Sequence, residues 1–250
     1  MSDAAATYLH LFAHVALRPE AQLDLGQAAL LIAEPEYAGL DVAHYIAMLD
    51  RLGEEARRRL ATGEAPPAHC LGELLYEVVG FEGNESDYYD PRNSFLNEVL
   101  DRRTGIPVTL AVVYLEVARR AGVTAHGIGF PGHFLVQVSE PDGPVIVDPF
   151  TGALLDRNDL RQLRHRVEGE ERDPEAWQLE AVAKRQILVR MLSNLQAIYR
   201  SRGDRGRLRR TLEQLSVLAP QDEAVCNALR ALGGSPYVAS TPNSGPQHLN

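Results

Sequence analysis

The sequence predicts an α+β fold, with helices first, a small antiparallel sheet in the middle and helices again at the end. Three observations point to it. Apolar residues recur at spacings of three and four in residues 24–60 and 107–121; the period falls towards two in residues 123–147; and from Ala181 to Leu232 it returns to the helical value.

In residues 24–60, Asp24 is placed to cap a first helix, Pro35 to end it and Asp41 to cap a second. Val42, Tyr45, Ile46, Leu49 and Leu52 form the core-facing stripe of that second helix. Pro66 and Pro67 interrupt the chain before a short helix over 71–79. The polar loop FEGNESDYYDPRN then leads to another over 95–100, with Ser94 as its expected cap. Pro107 opens the next helix, because the N–H it lacks has no intrahelical partner at that position. Leu110, Val113, Tyr114, Val117, Ala118 and Ala121 share one face of it, and Gly122 is placed to end it in a left-handed turn. Residues 124–129, 133–138 and 145–148 read as three strands of one sheet, the last two joined by Ser-Glu-Pro-Asp-Gly. After Asp156 the pattern is helical, with Gly203 ending one helix and Pro220 the next. The expected segments are an N-terminal helical region (1–70), a mixed core (71–165), C-terminal helices (175–234) and a disordered tail (235–250) rich in Ser, Pro, Gly and Asn.

With 45% apolar and 24% charged residues and no apolar run near the roughly 20 residues that span a bilayer, no membrane partner is expected. MSDAAATYLH lacks a basic stretch followed by an apolar one, which makes cytoplasmic the expected location. A formal charge of −9 opposes nucleic-acid binding, which rests on clustered Lys and Arg. The run Arg202, Arg205, Arg207, Arg209 and Arg210 reads as a solvated helix face. Cys70 and Cys226 are too few for a disulfide framework or zinc ribbon. No cofactor is expected.

The chemistry-bearing residues lie in the sheet. His133, Leu135 and Gln137 share a face of the second strand, and the Pro-Asp-Gly turn folds residues 145–148 back so that Asp148 lies opposite 135–137. The Cβ atoms of His133 and Asp148 would be roughly 7–8 Å apart, a span their side chains can bridge. An aspartate accepting from one ring nitrogen would fix the tautomer and leave the other nitrogen facing the start of the preceding helix. The plainer alternative makes His133 a satisfied core histidine and Asp148 a turn residue before Pro149. His126 with His133 and Asp148 has no ligand spacing that supports a metal site. Cys70, beside His69, reads as a small apolar helix residue.

Several separated motifs carry a resemblance: NSFLNEVLDRRTGIPVTL, then PGHFLVQV, then VDPF, in that order. They resemble the core of the transglutaminase-like superfamily of papain-like folds, and within it the bacterial SirB-type proteins, over about residues 24–232. The resemblance implies Cys, His and Asp in that chain order. His133 matches the family histidine, Asp148 the family aspartate, and counting back from Ala111 places Pro107 on the family cysteine. A pyrrolidine ring has no nucleophilic atom, and Thr109, about 200° further around the helix, should face away from His133. Downstream, Leu195, Tyr199 and Gly203, then Leu208, Leu212 and Leu215 with Pro220, resemble tetratricopeptide units, which commonly present a concave surface to a peptide.

The expectation is therefore a non-catalytic transglutaminase-like module that binds or regulates a protein or peptide partner. Tyr88, Tyr89, Asn93 and Arg103 are its expected contact residues. The alternatives are a hydrolase or acyltransferase of amide or ester bonds that uses His133 and Asp148 with a displaced nucleophile or an activated water, and a helical scaffold with a vestigial groove.

Overall fold

A computed structural model describes residues 3–238 apart from 170 and 171. Helix α1 is Asp3–Ala16, α2 is Leu25–Ala33 and α3 is Val42–Leu60. The two expected caps are in place: an Asp24 carboxylate oxygen accepts the Gln27 N–H at 2.9 Å and one of Asp41 accepts that of His44 at 3.0 Å. Helix α4 (Pro67–Gly72) starts earlier than the expected 71–79 helix and widens into a π-helical turn, Glu73–Val78. Helix α5 is Leu96–Arg102. Ser94 does not cap it; Phe95 holds the cap position without a side-chain bond, and the Ser94 hydroxyl is buried without a partner.

Helix α6 (Pro107–Ala121) is the centre of the molecule. The apolar face predicts a buried helix, and burial extends to every residue from Pro107 to Ala118, because α2, α3, α5, α8 (Lys184–Ser201) and the sheet surround it. Gly122 closes α6 at φ 82°, the left-handed conformation that costs an L-residue about 1–2 kcal/mol. The chain then reverses into an antiparallel sheet of order β3-β4-β5-β6: β3 Ala125–Ile128, β4 Leu135–Val138, β5 Val145–Val147 and β6 Leu154–Leu155. The three expected strands are present but shorter. His133 precedes β4 rather than starting it, because its N–H turns back to the Phe130 carbonyl at 3.0 Å, beside Gly132 at φ 61°. A parallel pair of two-residue strands, β1 Glu82–Gly83 and β2 Thr104–Gly105, lies apart from this sheet.

Helix α7 (Arg157–Glu168) starts at an Asp156–Asp159 capping box, and α8, α9 (Arg205–Leu218) and α10 (Glu223–Ala231) complete the chain. One apolar cluster runs from Phe12 through Leu30, Tyr114 and Val136 to Leu192, Leu212 and Leu229, so the three segments read from sequence share a core. A smaller cluster, Ile128, Phe130, Leu135, Ile146, Leu160 and Leu163, fills the space between the sheet and α7. The arginine run is not simply solvated. Arg207 and Arg210 reach Glu36 beyond the end of α2 at 2.6 and 2.8 Å, and Arg209 pairs with Glu213 at 3.0 Å. Tyr237 packs edge-on against His10, and its N–H donates to the Ser216 hydroxyl at 3.0 Å. The rest of the expected tail, 239–250, lies outside the described residues. Among the described residues no helix is long and apolar enough to cross a membrane.

Candidate functional site

Chain geometry brings the end of the sheet back to the start of α6. The helix rises about 21 Å over its length, and seven extended residues from Val123 cover about 23 Å in the opposite sense. The loop that carries His133 therefore returns to the level of Pro107. Strand β1 ties the two sides together: the Gly83 N–H donates to the Phe150 carbonyl at 3.0 Å, and the Asn84 N–H to the Gly105 carbonyl at 2.9 Å. One end of this bridge is two residues before Pro107, the other two residues after Asp148.

Register supplies the rest. Val136 pairs with Val147, which sets Asp148 level with Leu135 and within reach of His133. Nε2 of His133 lies 2.8 Å from an Asp148 carboxylate oxygen, and the same oxygen accepts the Phe150 N–H at 2.8 Å. Both side chains are largely buried, at 14% and 10% exposure, so the bond is little screened. With Nε2 engaged by Asp148, Nδ1 is the ring nitrogen left without a hydrogen bond to any described residue. Below the pair, the Tyr76 hydroxyl donates to the Pro149 carbonyl at 3.0 Å; burial pushes that phenol well above its ordinary pKa, and the Asp148 charge adds to the shift. The ring of Tyr76 occupies the space a side chain at Gly152 would need, at 2.6 Å from an added Cβ.

A sequence model of the transglutaminase-like superfamily matches residues 43–193, which takes in α6, the sheet and both members of this pair. The chain belongs to that superfamily. Among its relatives, a UPF0162 protein of Xylella fastidiosa (strain 9a5c) is 38% identical over 224 residues, covering 87% of this chain and 80% of that protein. A UPF0162 protein of Pseudomonas aeruginosa is 32% identical over 72% of this chain and 66% of its own. F-box only protein 21 of Mus musculus is 39% identical over 87 residues, 35% of this chain and 14% of that one. No solved structure matches.

In this transglutaminase-like chain the start of α6, where the resemblance assigns the superfamily's cysteine, is Pro107, with no side-chain cap at the N-cap residue Ile106. Nearby hydroxyls do not stand in for a thiol: that of Thr109 is fully buried without a hydrogen bond, as is that of Ser94. Cys70 is buried on α4, and burial is the main cause that raises its thiol pKa, the opposite of activation. His126 is exposed on β3, and no cluster of three metal-binding side chains exists among the described residues.

The expected contact residues separate into two kinds. Tyr88 and Tyr89 belong to a chain of rings that leads out from the pair: His133 to Phe150 at 6.3 Å between centroids, Phe150 to Tyr88 at 6.2 Å, Tyr88 to Tyr89 at 5.4 Å. Tyr89 is 70% exposed at its end, where Arg202 of the turn after α8 donates to the Tyr89 carbonyl at 3.0 Å. Asn93 is fully buried instead. Its amide donates to the carbonyls of Asp87 (2.8 Å) and Tyr88 (3.3 Å), its side-chain oxygen accepts from the Asn84 amide (3.1 Å), and its backbone carbonyl accepts the Ile106 N–H (3.4 Å). It shapes the tyrosine loop from within. Arg103 caps α5 in the left-handed region at φ 59°, and its side chain lines a separate groove with Met48, Leu52, Phe81 and Leu100.

No period in the sequence marks Gly83 or Phe150 as a packing pair. A Cβ at Gly83 would lie 2.4 Å from the Phe150 ring, so only glycine lets β1 cross that ring. Gly83→Ala is expected to cost about 1–3 kcal/mol by overpacking. It should also open the 84–93 loop to protease. A thermal melt and limited proteolysis check both, and a variant with unchanged melting and cleavage would contradict the packing account.

Proposed function

We propose that this transglutaminase-like protein is a non-catalytic recognition module, whose cleft at His133 and Asp148 binds an extended protein or peptide segment without turning it over. Acyl transfer in such a cleft needs a nucleophile to attack the carbonyl, an imidazole to take its proton and a group to orient the imidazole. The proposal rests on an oriented His133 in a chain whose α6 starts with Pro107, the position to which the resemblance assigns the superfamily's nucleophile. A proline supplies neither a nucleophile nor a backbone N–H, so a tetrahedral intermediate could neither form on it nor be stabilised by a donor from it.

The ring chain supports recognition. Tyrosine is enriched at contact hot spots because it covers much area at low entropic cost, and Tyr89 stands exposed at the outer end of a packed aromatic path. The shared stretch of F-box only protein 21 supports it as well, since it is a small part of a much larger chain and so sits in a different molecular context.

Screening the wild-type protein against thioester, ester and amide substrates is expected to give no turnover that depends on His133. A rate abolished by His133→Ala would overturn the proposal in favour of a hydrolase or acyltransferase that uses a displaced nucleophile or an activated water. Pull-down with the double variant Tyr88→Ala/Tyr89→Ala should lose partners that the wild type retains. Equal recovery by both proteins would remove the two tyrosines from the contact.

A further inference from the structure

At the other end of β3 from the His133 loop is a cavity of about 590 Å³, lined by α2, α6, β3 and the start of α8. Its walls include Leu25, Leu115, Val123, Val182 and Ile187, and its polar groups are Arg119, Lys184, His126, Glu20 and Glu116. One wall is the free edge of β3. The Ser139 N–H donates to the Thr124 carbonyl at 2.9 Å, so Thr124 faces β4, and the alternation of a strand turns Ala125 outward. Further along the same edge the Val182 N–H does pair with the Gly127 carbonyl at 2.9 Å, and Ile128 bridges Ala181. That pairing stops when the chain turns into α8. The N–H and carbonyl of Ala125 are left with no described partner.

The floor is built around one buried charge. Glu116 is 2% exposed and takes both Arg119, at 2.9 Å, and Arg120 on a single carboxylate oxygen. Gly26 makes room for it, since a Cβ there would stand 2.9 Å from that oxygen. Held by one Nη, the Arg119 side chain is 51% exposed, and its remaining N–H groups have no described partner. Across the cavity the Lys184 ammonium donates to the carbonyls of Leu23 (2.8 Å) and Glu20 (3.3 Å) and has a third proton to give. The nearby acids are engaged: Glu20 accepts the Lys184 N–H at 2.6 Å, Asp24 caps α2, and Glu116 is shared by two guanidinium groups.

We infer that this cavity binds an extended peptide with a free C-terminal carboxylate: its backbone adds to the open edge at Ala125, its carboxylate meets Arg119 and Lys184, and its last side chain fills the apolar wall. Edge addition supplies backbone hydrogen bonds, a planar guanidinium suits a carboxylate, and a buried apolar anchor supplies most of the area term. This is a second site, separate from the His133 cleft.

The test uses the full chain and fluorescein-Gly-Ser-Thr-Val-Leu, as the free acid and as the C-terminal amide, followed by fluorescence anisotropy. The acid should bind about tenfold or more tighter than the amide. Arg119→Gln should remove most of the difference between acid and amide, with Lys184 keeping the remainder, and His133→Ala should change neither. Ala125→Pro, tolerated on an edge whose N–H is unpaired, should weaken both peptides. If that variant fails to fold, N-methylation of the probe at threonine or valine asks the same of the wild-type protein. No binding of the acid up to about 1 mM, equal binding of acid and amide, or insensitivity to Arg119→Gln would overturn the inference. So would loss of binding in His133→Ala, which would move the peptide to the other cleft.

Discussion

Pro107→Cys is expected to give a thiol that reacts with iodoacetamide at pH 7 about threefold faster than an ordinary cysteine. The substitution places sulfur at the first residue of α6, a 15-residue helix whose N-terminal end carries partial positive charge. The resemblance assigns the His133 ring, held by Asp148 at 2.8 Å, as the second group to stabilise a thiolate there. An unperturbed thiol is only a few per cent ionised at pH 7, so lowering its pKa to near neutrality makes about half of it reactive. Lower intrinsic nucleophilicity takes back a factor of about four to five, which leaves about a threefold effect. Cys70 is the internal control, buried and with its pKa raised by that burial. Measured alkylation rates, resolved by peptide mass, decide the matter. If the introduced thiol reacts no faster than Cys70, or reacts at the same rate when His133→Ala is added, Pro107 does not belong to the cleft.

Asn93→Ala is expected to destabilise the protein by about 3 kcal/mol, the second large effect. The wild-type side chain satisfies the buried Asn84 amide and two carbonyls of the tyrosine loop, and each group left unpaired costs about 1–3 kcal/mol unless water reaches it. Asp87 and Tyr88 can turn to solvent, but Asn84 is 8% exposed and cannot. For a domain of this size the loss corresponds to a fall in Tm of about 6–12 °C. The loop should become the first site of proteolytic cleavage. A melt within a degree or so of wild type would show that the amide network contributes little.

Both effects bear on one physical arrangement, a cleft whose His133–Asp148 pair is buried and hydrogen-bonded while its outer wall is a loop shaped from within by the amides of Asn84 and Asn93. The ring chain from His133 to Tyr89 joins the two, and the Arg202 contact to the Tyr89 carbonyl attaches the C-terminal helices to that wall. A partner that moved α8 would therefore act on the tyrosine loop.

What the sequence by itself determined is local or periodic. Asp24 and Asp41 cap their helices because a short carboxylate next to a free helix N–H needs no distant partner. Pro107 and Gly122 bracket α6 because each restricts its own backbone, and the Ser-Glu-Pro-Asp-Gly turn sets the β4–β5 register that brings Asp148 to His133. That residue 107 is a proline is read directly from the sequence, and it is the resemblance that makes it the position of interest. Only the tertiary structure decided the rest. Two-residue strands such as β1 and β2 have no period to read, so the bridge from Gly105 to Phe150 and the requirement for glycine at position 83 were invisible. Asn93 reads as a contact residue because an asparagine in a polar loop carries no sign of its burial, and that burial depends on Asn84 and Ile106 closing over it. The arginine run reads as solvated because its partner, Glu36, is more than 170 residues away, and only packing of α9 against the end of α2 brings those charges together.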